Sequence, residues 1–132
     1  MMNLSTPLSD DIEQLVHRII GCCIDVHRAM GPGLLERIYQ RAVAIEFTEA
    51  GIPFELEKRY EVMYRGRLLC DQRVDFVVAN AVLLEIKAQD RILPVHHSQI
   101  LSYLRISRLK VGLLINFNVS VLPNGLKRFV LT

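Results

Sequence analysis

The sequence predicts an α/β fold, a mixed β-sheet flanked by helices in the order α-α-β-β-β-α-β-β. Three observations predict it. Apolar residues recur at three and four from Ser9 to Ala50, alternate with polar ones between Phe54 and Lys87, and run unbroken from Val111 to Ile115 after one more helical stretch. An unbroken apolar run of this kind suggests a buried central strand.

The elements follow in order. Ile12, Leu15, Val16, Ile19, Ile20, Cys23 and Val26 form one apolar face of a helix from Ser9 to Ala29. Ser9 or Asp10 caps its start, Asp10 and Glu13 having the capping-box spacing, and Gly31-Pro32-Gly33 ends it. A second helix is expected from Leu34 to Ala50, with Leu35, Ile38, Ala42, Val43, Ile45 and Phe47 apolar and Gly51 and Pro53 closing it. Three strands at roughly 55 to 63, 68 to 78 and 82 to 88 then break at Arg65-Gly66 and near Asn80. Helical spacing returns after Pro94 through Ile100, Leu101 and Leu104. Val111 to Ile115 reads as a central strand, Asn124-Gly125 as a turn, and Leu126 to Leu131 as an edge strand.

With 132 residues, 51% of them apolar and 23% charged, residues 1–132 are expected to form one domain around a single core. No apolar stretch approaches the roughly 18 residues of a membrane span, and no basic segment precedes an apolar run at the amino terminus, so a cytoplasmic location is expected. Cys22, Cys23 and Cys70 read as small core residues rather than a disulfide framework. The net charge is only +2, but residues 1–50 carry four basic and seven acidic side chains and residues 51–132 twelve and seven. That downstream excess, including Arg65, Arg67, Arg73, Arg105, Arg108 and Lys110, suits a phosphate-binding surface and equally suits scattered solubilising charge. Gly31-Pro-Gly33 lacks the third glycine and the preceding strand of a dinucleotide fingerprint, and no serine-hydrolase, zinc-ribbon or Walker pattern is present.

The chemistry-bearing stretch runs from Arg73 to Lys87, where Asp75, Glu85 and Lys87 interrupt strands that otherwise read as core. Alternation puts Glu85 and Lys87 on one face with Leu83, and Val82, Leu84 and Ile86 on the other. A hairpin loop of Ala79 to Ala81 sets Asp75 opposite Glu85, and Val74, Phe76 and Val78 against Ile86, Leu84 and Val82. A loop one residue shorter would mix charge and core on both faces, so the first register is the consistent one. Carboxylates about 5 Å apart repel unless a cation lies between them, and oxygen ligands without a Cys or His cluster favour Mg²⁺ or Mn²⁺. Lys87 would then orient or help deprotonate a water, or stabilise developing charge on phosphorus. The same residues also read as a mutually neutralising cluster on a solvated sheet face.

At these positions the sequence resembles the PD-(D/E)XK nuclease superfamily, whose motif pairs an Asp on one strand with Glu-X-Lys on its hairpin partner, here Asp75 and Glu85-Ile86-Lys87. Val74 stands where the motif usually has Pro. Within the superfamily it is similar to the family named for Gly-X-X-Glu-X-X-Tyr, present as Gly33-Leu-Leu-Glu36-Arg-Ile-Tyr39. The likeness continues through Gln99-Ile-Leu-Ser-Tyr103 and Gly112-Leu-Leu-Ile-Asn116-Phe117, covering about residues 12 to 131. The resemblance implies a restriction-endonuclease-like core in which Glu36 joins Asp75 and Glu85 around the metal, with the Ile86 carbonyl as a further ligand. By residue chemistry alone Glu36 also serves a first-turn helix dipole without any metal. His96, Gln99 and Tyr103 share a helix face suited to gripping a phosphate or base, or to bonding across to the sheet.

The function these features support is a Mg²⁺- or Mn²⁺-dependent nuclease acting on nucleic acid, DNA before RNA, with Glu36, Asp75, Glu85 and Lys87 catalytic and His96, Gln99 and Tyr103 binding substrate. The alternative is a non-catalytic nucleic-acid-binding or assembly module that retains the nuclease fold. No membrane partner is expected, and a homodimer is compatible with either reading.

Overall fold

The computed structural model describes residues 8–131. Helices α1 (Asp10–Met30) and α2 (Glu36–Glu49) precede strands β1 (Phe54–Tyr64), β2 (Arg67–Val78) and β3 (Val82–Lys87). Helix α3 (Pro94–Ser107), strand β4 (Val111–Asn116), a 3-10 turn (Leu122–Gly125) and strand β5 (Leu126–Val130) complete the predicted order. The strands form one sheet, β1-β2-β3-β4-β5. Only β3 and β4 are parallel, because α3 carries the chain back over one face before β4 begins. Their C-terminal ends therefore lie at the same edge, with Lys87 opposite Asn116.

One face of the sheet is covered by α1 and α2, whose Val16, Ile19, Cys23, Val26, Tyr39, Val43 and Phe47 pack with Phe76, Val78, Leu84, Ile86 and Leu113. The other is covered by α3, whose Ile100 and Leu104 pack with Val77, Leu83, Leu114 and Phe129. Each such apolar side chain contributes about 1.5–3 kcal/mol when fully buried. Ser9 is the cap of α1, accepting the Ile12 N–H. Helix α2 departs from its expected apolar face: Leu35 and Ile45 are 74% and 63% exposed, and the buried stripe is Tyr39, Val43 and Phe47. The Tyr39 ring stacks on Phe117 at 4.6 Å, so the helix turns its larger aromatics inward at the expense of the branched aliphatics. Cys22 and Cys23 are core residues as expected, but Cys70 is exposed on β2, where the strand has outrun the layers that cover the rest of the sheet.

The β2–β3 pairs are Phe76 with Leu84, Val77 with Leu83 and Val78 with Val82, the register that the loop Ala79 to Ala81 requires. Beyond Phe76 the ladder opens. The Asp75 N–H is taken by the Glu85 side chain and the Ile86 N–H by the Asp75 carboxylate. Alternation slips by one there, so Val74 packs with Val77 and Leu83 on the α3 face instead of meeting Ile86 beside Phe76. In β1, Glu57 sits across from this slip with a φ of 53°, an unusual conformation for a residue with a side chain. Past this point β1 and β2 continue as a two-stranded ribbon, closed by Arg65 and Gly66 with φ of 50° and 77°, the conformation a two-residue hairpin turn of matching twist needs.

Candidate metal centre

The same opening of the ladder builds the candidate site. Asp75 Oδ2 accepts the Ile86 N–H at 2.8 Å and Glu85 Oε1 accepts the Asp75 N–H at 2.9 Å. Each carboxylate is thus fixed by the backbone of the strand opposite. Asp75 Oδ1 also accepts from Gln40 Nε2 at 3.0 Å, tying the pair to α2. Glu36 is the first residue of α2, and the turn before it is locked by Tyr39, whose hydroxyl donates to Gly31 O and accepts the Leu34 N–H. Gly31 and Gly33 supply the φ of 70° and 99° that this tight turn uses. An open cleft of about 290 Å³ is lined by Glu36, Arg37, Gln40, Glu57 and Asp75.

Charge in this region is unbalanced. Burial, and then the Asp75 charge, push the Glu85 carboxyl up to about 8. Burial also raises Asp75, against the lowering effect of the Ile86 N–H, Lys87 and Gln40. Glu36 is raised by burial and by Asp75, with Lys87 opposing. Lys87 forms none of the ion pairs of the described residues, which join Lys58 to Glu55, Arg73 to Glu57 and Arg128 to Glu13. Among the described residues no salt link joins Lys87 to Glu36, Asp75 or Glu85. Among the described residues no group of three carboxylate, imidazole or thiol side chains is assembled in ligating geometry. The donor set nonetheless fits a hard divalent cation, because each ionised carboxylate oxygen retains acceptor capacity beyond the one hydrogen bond it makes, and the acids repel one another without a cation.

The unbalanced charge has a measurable consequence. An acid whose folded pKa lies above its unfolded value gives stability that is full below the unfolded pKa and lost as pH rises through the folded one. With Glu85 moving from 4.5 to about 8, the metal-free protein is expected to lose stability between those values, by up to about 1.4 kcal/mol per pH unit. Glu85→Gln, which keeps the acceptor for Asp75 N–H, is expected to flatten this slope in chemical denaturation at pH 5, 7 and 9. An unchanged slope would mean that Glu85 ionises freely in the fold.

The substrate-binding candidates are placed differently from one another. Tyr103 is half-buried on α3, its hydroxyl accepts from Gln72 Nε2 at 3.2 Å, and burial together with the Glu85 and Asp75 charges raises its phenol. Gln99 is exposed. His96 is buried and turned back along its own helix, where Nδ1 accepts the Leu93 N–H at 2.9 Å and caps α3; burial and then Lys87 hold its imidazole below the ordinary value. Ile86 is wholly buried on the other face of the sheet, among the residues that pack with α1 and α2. A cavity of about 660 Å³ lies at the far end of the sheet between the start of α1 and Arg108–Val111, and none of these residues lines it.

Three residues at the site were not legible beforehand. Gln40 stands four after Glu36 and so on the same helix face, a signal the sequence contained. Glu57 and Gln72 reach the site only through the β1–β2 register and the slip at Asp75. Removing the amide clamp with Gln40→Leu is expected to weaken Mn²⁺ binding about 10- to 100-fold, the usual effect of losing an outer partner of a ligand, with the fold intact. Calorimetric titration checks it, and unchanged affinity would show that the two backbone-anchored bonds hold the pair unaided.

A family model described as the PD-(D/E)XK nuclease superfamily matches residues 13–129. Nothing among curated proteins matches. The solved structure of SSO0001 is similar with a TM-score of 0.49 and 20% identity, over 71% of this chain and 48% of that one. This chain thus spans about half of that structure's length. Nucleases of the matched superfamily generally use divalent metals. No helix among the described residues is long and apolar enough to cross a membrane. Residues 13–129 take in both helical layers and nearly the whole sheet, Glu36, Asp75, Glu85 and Lys87 included, and on that match the chain belongs to the PD-(D/E)XK nuclease superfamily.

Proposed function

We propose that the protein is a metal-dependent nuclease of the Gly-X-X-Glu-X-X-Tyr family that hydrolyses phosphodiester bonds in DNA or RNA. The observation that carries this reading is the interlocked Asp75–Glu85 pair, Asp75 half-buried and Glu85 buried and pushed up to about 8. Glu36, Asp75 and Glu85, with the Ile86 carbonyl, would hold Mg²⁺ or Mn²⁺, which when bound neutralises phosphate oxygens and makes water nucleophilic near pH 7. The chain's own residues do the rest. Gln40 and the two backbone N–H groups keep the carboxylates in place, so little reorganisation is left for the reaction. Lys87, at the end of β3 and free of an ion pair among the described residues, orients the attacking water and faces the charge that develops on phosphorus. Gln99 and Tyr103 position the substrate from α3.

A specific observation favours a second reading, the non-catalytic module: three of the carboxylate oxygens' acceptor positions are already filled by protein donors. Labelled single- and double-stranded DNA and RNA, incubated with Mg²⁺ and with Mn²⁺, separate the two. Cleavage by the wild type that disappears in Asp75→Asn is the expected result. Cleavage equal in both proteins contradicts the assignment, and salt-sensitive binding without cleavage or metal uptake favours the module.

A further inference from the structure

We infer that Arg59 and Arg73 form a phosphodiester clamp at the root of the β1–β2 ribbon, gripping the nucleic-acid backbone beside the cleft. The inference rests on the substrate class of the nuclease reading and is independent of turnover. In the β1–β2 register Arg59 and Arg73 stand directly opposite each other, and both are exposed. Like charges facing across a strand pair destabilise it, so this arrangement opposes folding unless an anion lies between the two groups. Direct ion pairing supplies little compensation, although Glu57, Glu61 and Asp71 flank the pair along the same face. Glu57 approaches Arg73 at 4.0 Å, the outer limit of an ion pair, and Arg59 has no ion-pair partner among the described residues.

The neighbouring residues fix where such an anion runs. The next pair outward on the same face is Glu61 opposite Asp71, also like-charged, so the ribbon presents cations at its root, anions midway along it and Arg65 and Arg67 again at its tip. A polyanion is repelled from lying along the ribbon and crosses it at the arginine pair. On the inner side Glu57, which contacts Arg73, lines the cleft together with Arg37 and Asp75. A backbone crossing at Arg59 and Arg73 is thereby led into the cleft, past acidic groups that would otherwise repel it. Guanidinium groups suit the role, since each presents a planar fork of donors that matches two phosphate oxygens.

The test measures binding of a fluorescent DNA duplex and of the single strand in Ca²⁺, by anisotropy across a salt series, for wild type, Arg59→Gln, Arg73→Gln, the double variant and Arg67→Gln near the ribbon tip. Each clamp substitution is expected to reduce the slope of log K against log salt by about 0.7–0.9, and the double variant by about twice that. Arg67→Gln is expected to keep the wild-type slope, as are the Arg59→Lys and Arg73→Lys variants, which also control for folding. A wild-type slope retained in the double variant overturns the clamp while the nucleic-acid reading stands. Absence of salt-sensitive binding by the wild type to either strand form overturns both.

Discussion

Lys87→Ala is expected to lower metal-dependent cleavage by about 100-fold or more while leaving Mn²⁺ affinity within about tenfold of wild type. The side chain is half-buried on the last residue of β3, and its ammonium draws down the pKa of Glu36, Asp75 and Glu85 without forming an ion pair with any of them. A cation so placed opposes the binding of a second cation, so its loss costs little metal affinity. In the proposed reaction it would supply positive charge where the attacked phosphorus becomes more negative, in a site partly withdrawn from water. Single-turnover cleavage at saturating Mn²⁺, beside calorimetry on the same samples, separates these effects. Cleavage unchanged from wild type would remove Lys87 from the mechanism. Affinity and cleavage falling in parallel would make it a structural support of the ligands.

Gly125→Ala is expected to destabilise the fold by about 3 kcal/mol or more, among the larger effects a single methyl group produces. Gly125 is buried at the end of the 3-10 turn, and a Cβ there would stand 2.1 Å from the Asn116 carbonyl oxygen and 3.1 Å from its carbon. Both are backbone atoms, so no side-chain rotation relieves the overlap. Asn116 ends β4 opposite Lys87, and its side chain binds both the N–H and the carbonyl of Gln89, at 3.0 and 2.8 Å. Displacing it strains the loop that leaves β3 beside the site. Urea unfolding measures the loss, and a variant within about 0.5 kcal/mol of wild type would show that the turn moves aside freely.

Much of this was legible in the sequence because the governing forces are local. Periodicity sets α1, α3 and the strands, and charge segregation selects the three-residue loop at Ala79 to Ala81 that brings Asp75 toward Glu85. The inverted packing of Val74 was not legible, since it follows from carboxylates replacing ladder bonds between strands and from the unusual φ of Glu57. The rotation of α2 depends on Phe117, which stacks on Tyr39 from a distant part of the sequence. Gln40 belongs to both classes: its face was set by its distance from Glu36, but its bond to Asp75 spans 35 residues.

The most direct test of the account is calorimetric titration of Mn²⁺ into the metal-free protein at pH 7, in two buffers of different ionisation enthalpy, for the wild type, Asp75→Asn and Glu85→Gln. The account predicts saturable binding by the wild type, weakened at least about tenfold in either variant, with a proton released on binding because Glu85 holds one below about pH 8. No saturable heat from the wild type, or the same affinity in all three proteins, would contradict it.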